Sequence, residues 1–160
     1  MSMESVDSRQ YVTFCLGEEM FGIEVTRARE ILDVIQITKV PQTPDYLLGV
    51  INLRGQVVPV IDLRVKLGLP QGEMTRDSCI IVMEVQVDGE PLTVGGLADS
   101  VREVLELRDD QIEPPTKLKT EFIAGMGKLD EQFLILLEID RVFSSEELAI
   151  VQEVGESSQV

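Results

Sequence analysis

The sequence predicts a mainly β chain with a few short helices, folded as two small barrel-like units. Three observations predict it. Short runs with period-2 alternation dominate, turn residues punctuate them, and the chain repeats itself at a shift of 73 to 76 residues.

The elements follow in order. Val12, Phe14 and Leu16 alternate with Tyr11, Thr13 and Cys15, which is a strand pattern over residues 10–16. Gly17-Glu18-Glu19 turns the chain, and Met20 to Ile23 starts back. Val25, Ala28, Ile31 and Leu32 have helical spacing and predict a short helix. Ile35 to Val40 reads as β, and Pro41-Gln42-Thr43-Pro44 as a rigid loop. Gly49 to Leu53 and Gln56 to Ile61 form a hairpin around Arg54-Gly55. Asp62 is suited to cap a short helix, Leu63 to Leu67, that Gly68 stops. Gln71 to Asp77 is polar and marks a boundary.

Cys79 to Val87 and Pro91 to Ala98 flank Asp88-Gly89, a strong hairpin signal. Val101 to Leu107 continues as strand or short helix, and Pro114-Pro115 breaks the chain. Phe122 to Met126 and Phe133 to Leu137 pair across Asp130-Glu131. Ser144 and Glu147 form a capping box that opens a last helix to about Val151. Gly155 to Val160 reads as a loose tail.

The repeat has two parts. Arg29-Glu30-Ile31-Leu32 recurs as Arg102-Glu103-Val104-Leu105, and Gly49 to Leu67 recurs as Gly125 to Phe143. Apolar positions persist while the tip Asn52, Arg54, Gly55 becomes Lys128, Asp130, Glu131. Units of about 70 residues bury too little surface to stand alone, so the two should share a core. The expected organisation is one domain over 10–150, with pseudo-repeats at 10–75 and 76–150 and flexible tails at 1–9 and 152–160.

Composition narrows the function. Net charge is −15. Residues 1–75 hold 7 basic and 10 acidic side chains, and residues 76–160 hold 7 and 19. Such a surface repels phosphate backbones, and with 4% aromatics and no tryptophan it lacks a stacking face, so no nucleic-acid partner is expected. Hydrophobic residues, at 44%, suffice for a core. There is no histidine, and Cys15 and Cys79 are far apart, so neither a zinc site nor a thiol–imidazole nucleophile can be assembled. No phosphate-binding loop is present, because Gly95-Gly96 lacks a following Lys-Ser or Lys-Thr. The adjacent carboxylates Asp109-Asp110 and Glu146-Glu147 do not face one another for acid–base work. A non-enzymatic protein without cofactor or metal is expected. The longest apolar run, Phe133 to Leu137, is far short of a membrane span, and no signal peptide is visible, so a soluble, cytoplasmic protein without direct membrane insertion is expected.

The stretch Gly49-Val50-Ile51-Asn52-Leu53-Arg54-Gly55-Gln56-Val57-Val58-Pro59-Val60-Ile61-Asp62-Leu63-Arg64 resembles the signature of CheW-like domains. The resemblance runs from about Gln10 to Ile150. It includes Phe21-Gly22-Ile23, Arg29-Glu30-Ile31, Leu97-Ala98-Asp99, Phe122-Ile123-Ala124-Gly125 and the final Ser-Ser-Glu-Glu. It implies a fold of two intertwined SH3-like five-stranded β-barrel subdomains. It also implies an adaptor that couples the cytoplasmic tips of methyl-accepting chemoreceptors to the regulatory domain of the chemotaxis histidine kinase, in arrays beneath the inner membrane. An adaptor of another chemosensory pathway, controlling surface motility or a different output, remains the alternative. The resemblance implies receptor contacts at Val25, Ala28, Glu30, Gly49, Asn52, Arg54, Gly55, Ile80 and Val104. It implies kinase contacts at Glu113 and Leu118, beside Pro114-Pro115. Position 28, where relatives often carry a larger aliphatic residue, is alanine here. Within that resemblance, Arg54 at the hairpin tip is expected to pair with Glu30, since a planar guanidinium suits a carboxylate.

Overall fold

A computed structural model describes residues 7–87, 89–114, 122–143 and 145–157. Strand β1 (Ser8–Leu16) turns at Gly17 into β2 (Glu19–Glu24). A single 3-10 turn, Val25–Arg27, then leads into β3 (Ala28–Asp33). A hairpin of β4 (Leu47–Leu53) and β5 (Gln56–Asp62) follows, then the four-residue helix α1 (Leu63–Lys66). The second half contains β6 (Cys79–Val87), β7 (Glu90–Ala98), β8 (Ser100–Arg108) and the short β9 (Ile112–Glu113). It continues with β10 (Ile123–Lys128), β11 (Phe133–Leu137), a 3-10 turn at Ile139–Arg141 and the helix α2 (Ser145–Ser157). The mainly β class and the few short helices are as the sequence predicts. Asp62 caps α1 by accepting a hydrogen bond from the Arg64 amide at 3.0 Å.

The duplication is visible in the ladders. Leu47 faces Ile61 and Gly49 faces Val60, with an irregularity between them. Shifted by 76, Ile123 faces Leu137 and Gly125 faces Leu136, with the same irregularity. The repeats do not, however, correspond to the sheets. One sheet has the order β8-β1-β2-β11-β10-β9, the other β3-β6-β7-β5-β4. The β1–β2 hairpin of the first half sits among strands of the second, and the β6–β7 hairpin of the second sits among strands of the first. Parallel pairs β2·β11 and β5·β7 make the junctions. A division at residue 75 therefore separates the two copies in the chain but cuts through both sheets. The six-stranded sheet exceeds the expected five by the two-residue β9.

The core follows this interleaving. The largest cluster draws Phe14, Phe21 and Leu137 from one sheet and Ile61, Ile81, Met83 and Val94 from the other. Two smaller clusters lie within single sheets, one around Ile51, Val58, Val60, Ile80 and Val82, the other around Tyr11, Leu107, Leu134 and Leu136. The core is shared between the copies, as their small size requires.

Three local expectations are corrected. Residues 28–33 form a strand, not a helix. The bulge between Ala28 and Glu30 breaks period-2 alternation, which leaves the helix-like spacing read from the sequence. The free edge of β6 also offers a ladder that outweighs a short helix, which is marginal alone. Among the described residues, 35–40 make a single bridge, Thr38 to Val50, in place of a strand. The tail expected from residue 152 is instead helical to Ser157, and Val151 and Val154 are buried in the shared core. Ser144, the expected cap of that helix, and Asp88 of the β6–β7 turn lie outside the described residues.

Candidate functional site

The β4–β5 hairpin closes through two residues with positive φ, Arg54 at +52° and Gly55 at +87°. This is the primed turn geometry that matches strand twist. The Asn52 side-chain oxygen accepts a hydrogen bond from the Gly55 amide at 2.8 Å and pins the tip. Arginine rarely holds positive φ, and here its side chain reaches across to β3. Arg54 donates two hydrogen bonds to Glu30 on β3: Nη1 to Oε1 at 3.2 Å, and Nη2 to Oε2. The pair is exposed. The Arg54 hydrogen bond holds the Glu30 carboxyl below its ordinary range, and Glu30 raises Arg54 in turn. The expected pairing is thus present as a bidentate fork from the β4–β5 turn to β3.

The remaining candidates do not form one patch. Directly opposed residues of an antiparallel pair share a face. On β3, Glu30 and Leu32 face Val82 and Ile80 of the cluster within that sheet, whereas Ala28 and Ile31 face Met83 and Ile81 of the shared core. Val25 and Ala28 are half-buried against the shared core. Val104 on β8 faces Val12, also of that core, and is 52% exposed. Each sheet therefore has an apolar rim position on its free edge strand, β3 in one and β8 in the other. The sequence reading missed one of these positions. Ile31, the duplicate of Val104, is 44% exposed. The repeat alignment Arg29-Glu30-Ile31 with Arg102-Glu103-Val104 carried the signal.

Two candidates are corrected to structural residues. Ile80 is fully buried and offers a partner no surface. Gly49 is buried too, at φ +149°, and a Cβ there would lie 2.2 Å from the Thr38 carbonyl oxygen. Its lack of a side chain lets the 37–38 segment bond to Val50. Of the expected kinase contacts, Glu113 lies exposed at the end of β9 and pairs with Lys128 at 3.2 Å. Leu118 lies outside the described residues.

The profile of the CheW-like domain family matches residues 10–147. This chain belongs to the CheW family. It is 39% identical over 153 residues to the chemotaxis protein CheW of Klebsiella aerogenes, covering 93% of this chain and 90% of that protein. It is 34% identical to the probable chemotaxis protein CheW of Rhizobium etli, over 87% of this chain and 90% of that protein. Among solved structures it resembles the scaffolding protein TtCheW of Thermoanaerobacter tengcongensis, with a TM-score of 0.79 and 33% identity, over 88% of this chain and 96% of that one. As a CheW-family chain it is a chemotaxis scaffold, with the Glu30–Arg54 fork and the apolar rim positions as its candidate contact surfaces. Among the described residues no helix is long and apolar enough to cross a membrane.

Proposed function

We propose that this CheW-family chain is a non-catalytic, cytoplasmic adaptor that holds chemoreceptor tips and the regulatory domain of the chemotaxis histidine kinase in fixed relative positions. The observation that carries the reading is the Arg54–Glu30 fork. It holds a guanidinium at a tight tip, beside an edge strand whose apolar residues are incompletely covered. A receptor tip presenting an apolar face with flanking charges fits such a surface. In this reading Val25, Ala28, Ile31 and Val104 supply the apolar contact. Glu30, Asn52, Arg54 and Gly55 supply a polar contact of their own at the hairpin tip. Glu113 and Leu118 belong to a separate kinase contact.

The test is Arg54→Asp, which places a carboxylate beside Glu30. Receptor-tip affinity, measured by titration calorimetry, should fall at least about tenfold, or roughly 1.4 kcal/mol. The melting temperature should barely move, since exposed turn substitutions cost about 0.5 kcal/mol or less. Kinase-domain affinity should stay within about twofold, a change of about 0.4 kcal/mol. The exchanged pair Arg54→Glu with Glu30→Arg should recover part of the loss. Normal receptor binding by Arg54→Asp would remove the fork from the site. No heat with any cognate kinase domain would count against the adaptor reading itself.

A further inference from the structure

Two Arg–Asp pairs tie the halves together, and the duplication relates one member of each, Arg64 to Asp140. After β5 comes buried Leu63 and then Arg64. After β11 comes buried Ile139 and then Asp140, each 76 residues on. At the corner between β2 and β3 stands Arg27, and at the corner between β7 and β8 stands Asp99, one residue off the 73-residue repeat but likewise just before an edge strand. Arg64 meets Asp99, with Nε to Oδ1 at 2.9 Å and Nη2 to Oδ2. Arg27 meets Asp140, with Nη1 to Oδ2 at 3.0 Å and Nη2 to Oδ1. Each carboxylate also accepts a backbone amide near a hairpin tip, Gly17 for Asp99 at 2.7 Å and Gln86 for Asp140 at 3.1 Å. Each arginine also donates to a carbonyl, Arg64 to Pro70 at 3.1 Å and Arg27 to Glu84 at 2.9 Å. Both pairs are only partly exposed.

The polarity of the two pairs is reversed. In the first pair the corner residue is acidic, and in the second it is basic. A duplicated chain has an alternative fold in which each half closes on itself, with β2 beside β5 and β7 beside β11. The same apolar registers would serve it. In that fold Arg27 would meet Arg64, and Asp99 would meet Asp140. Both contacts would be between like charges, held where solvent screens them poorly.

We propose that the charge-reversed pairs Arg27–Asp140 and Arg64–Asp99 select the interleaved topology by penalising self-closure of each half. Attraction in the native pairing and repulsion in its competitor together give specificity. Repeated units in one chain are prone to such misassembly.

The full-length chain tests this by refolding from urea. R27D with D140R keeps opposite charges in both native pairs but also makes both self-closed pairs attractive. R64D with D99R does the same. Combining all four substitutions keeps the native pairs opposite and restores like charges to the self-closed ones. The fraction refolding to a single set of amide resonances should drop at least about twofold in each double variant. It should recover in the quadruple variant, although that variant has lost every native carboxylate–amide and arginine–carbonyl contact at these corners. A purely stabilising role predicts the reverse order, with the quadruple variant worst. Double variants that refold as completely as the unaltered chain, or a quadruple variant no better than the doubles, would overturn the proposal.

Discussion

Replacing Gly49 with alanine separates a structural glycine from a contact glycine. Gly49 holds φ +149°, and an added Cβ would approach the Thr38 carbonyl oxygen to 2.2 Å and its carbon to 2.8 Å. Backbone strain at such a φ costs about 1–3 kcal/mol. The overlap must also push the 37–38 segment away. That movement endangers two hydrogen bonds, Thr38 amide to Val50 carbonyl and Val50 amide to Thr38 carbonyl, both 2.8 Å. Each is worth about 1 kcal/mol. A less flexible unfolded chain offsets about 0.4–1 kcal/mol. The net destabilisation is about 2–4 kcal/mol, or roughly 5–15 °C in melting temperature for a chain of this size. Gly55→Ala is the control. Its φ is +87°, but nothing lies within 4 Å of the added atom, so strain alone should cost about 1–2 kcal/mol. Urea midpoints and thermal melts read both. Partner affinity of Gly49→Ala, measured where it is folded, should be unchanged, because the residue is buried. Equal stability of the two variants would refute the close-approach argument. A selective loss of receptor binding without loss of stability would return Gly49 to the contact surface.

Further outcomes follow from other sites. Asp99 and Asp140 are held below the usual carboxylate range, chiefly by the hydrogen bonds from Arg64 and Arg27. Their contribution is therefore complete above an ordinary carboxylate pKa of about 4 and is lost as pH falls through their lower folded values. Urea midpoints should be level between about pH 7 and 5 and decline below about 4, with a shallower decline in Asp99→Asn and Asp140→Asn. Val154 is buried in the shared core, so Val154→Ala should cost about 2 kcal/mol by urea titration, where a loose tail would show no change. Ile31→Asp and Val104→Asp should each weaken receptor binding at least about tenfold, or roughly 1.4 kcal/mol, with circular dichroism spectra unchanged, if these rim positions contact the receptor.

Much of the fold was legible because its signals are local. Alternation in Val12, Phe14 and Leu16, the Arg54-Gly55 turn and the Asp62 cap are each set within a few residues, and each is present in the structure. The Glu30–Arg54 pair was reached through the family signature, since 24 residues separate its members. The β3 strand was misread because a bulge imposes a spacing that mimics a helix, and only the partner strand β6 reveals it. Ile80 and Gly49 were assigned to a contact surface through the family resemblance, and both are buried in the structure.

Sequence alone thus determined the class, the turns, the duplication and the family. Only the tertiary structure decided which hairpin enters which sheet. Two copies with the same apolar registers offer equivalent ladder edges, so the local pattern is degenerate between interleaved and self-closed arrangements. The contacts that distinguish them lie at the corners, where Arg27 meets Asp140 and Arg64 meets Asp99 across 113 and 35 residues of chain. Only packing the two halves together brings those charges within reach of each other.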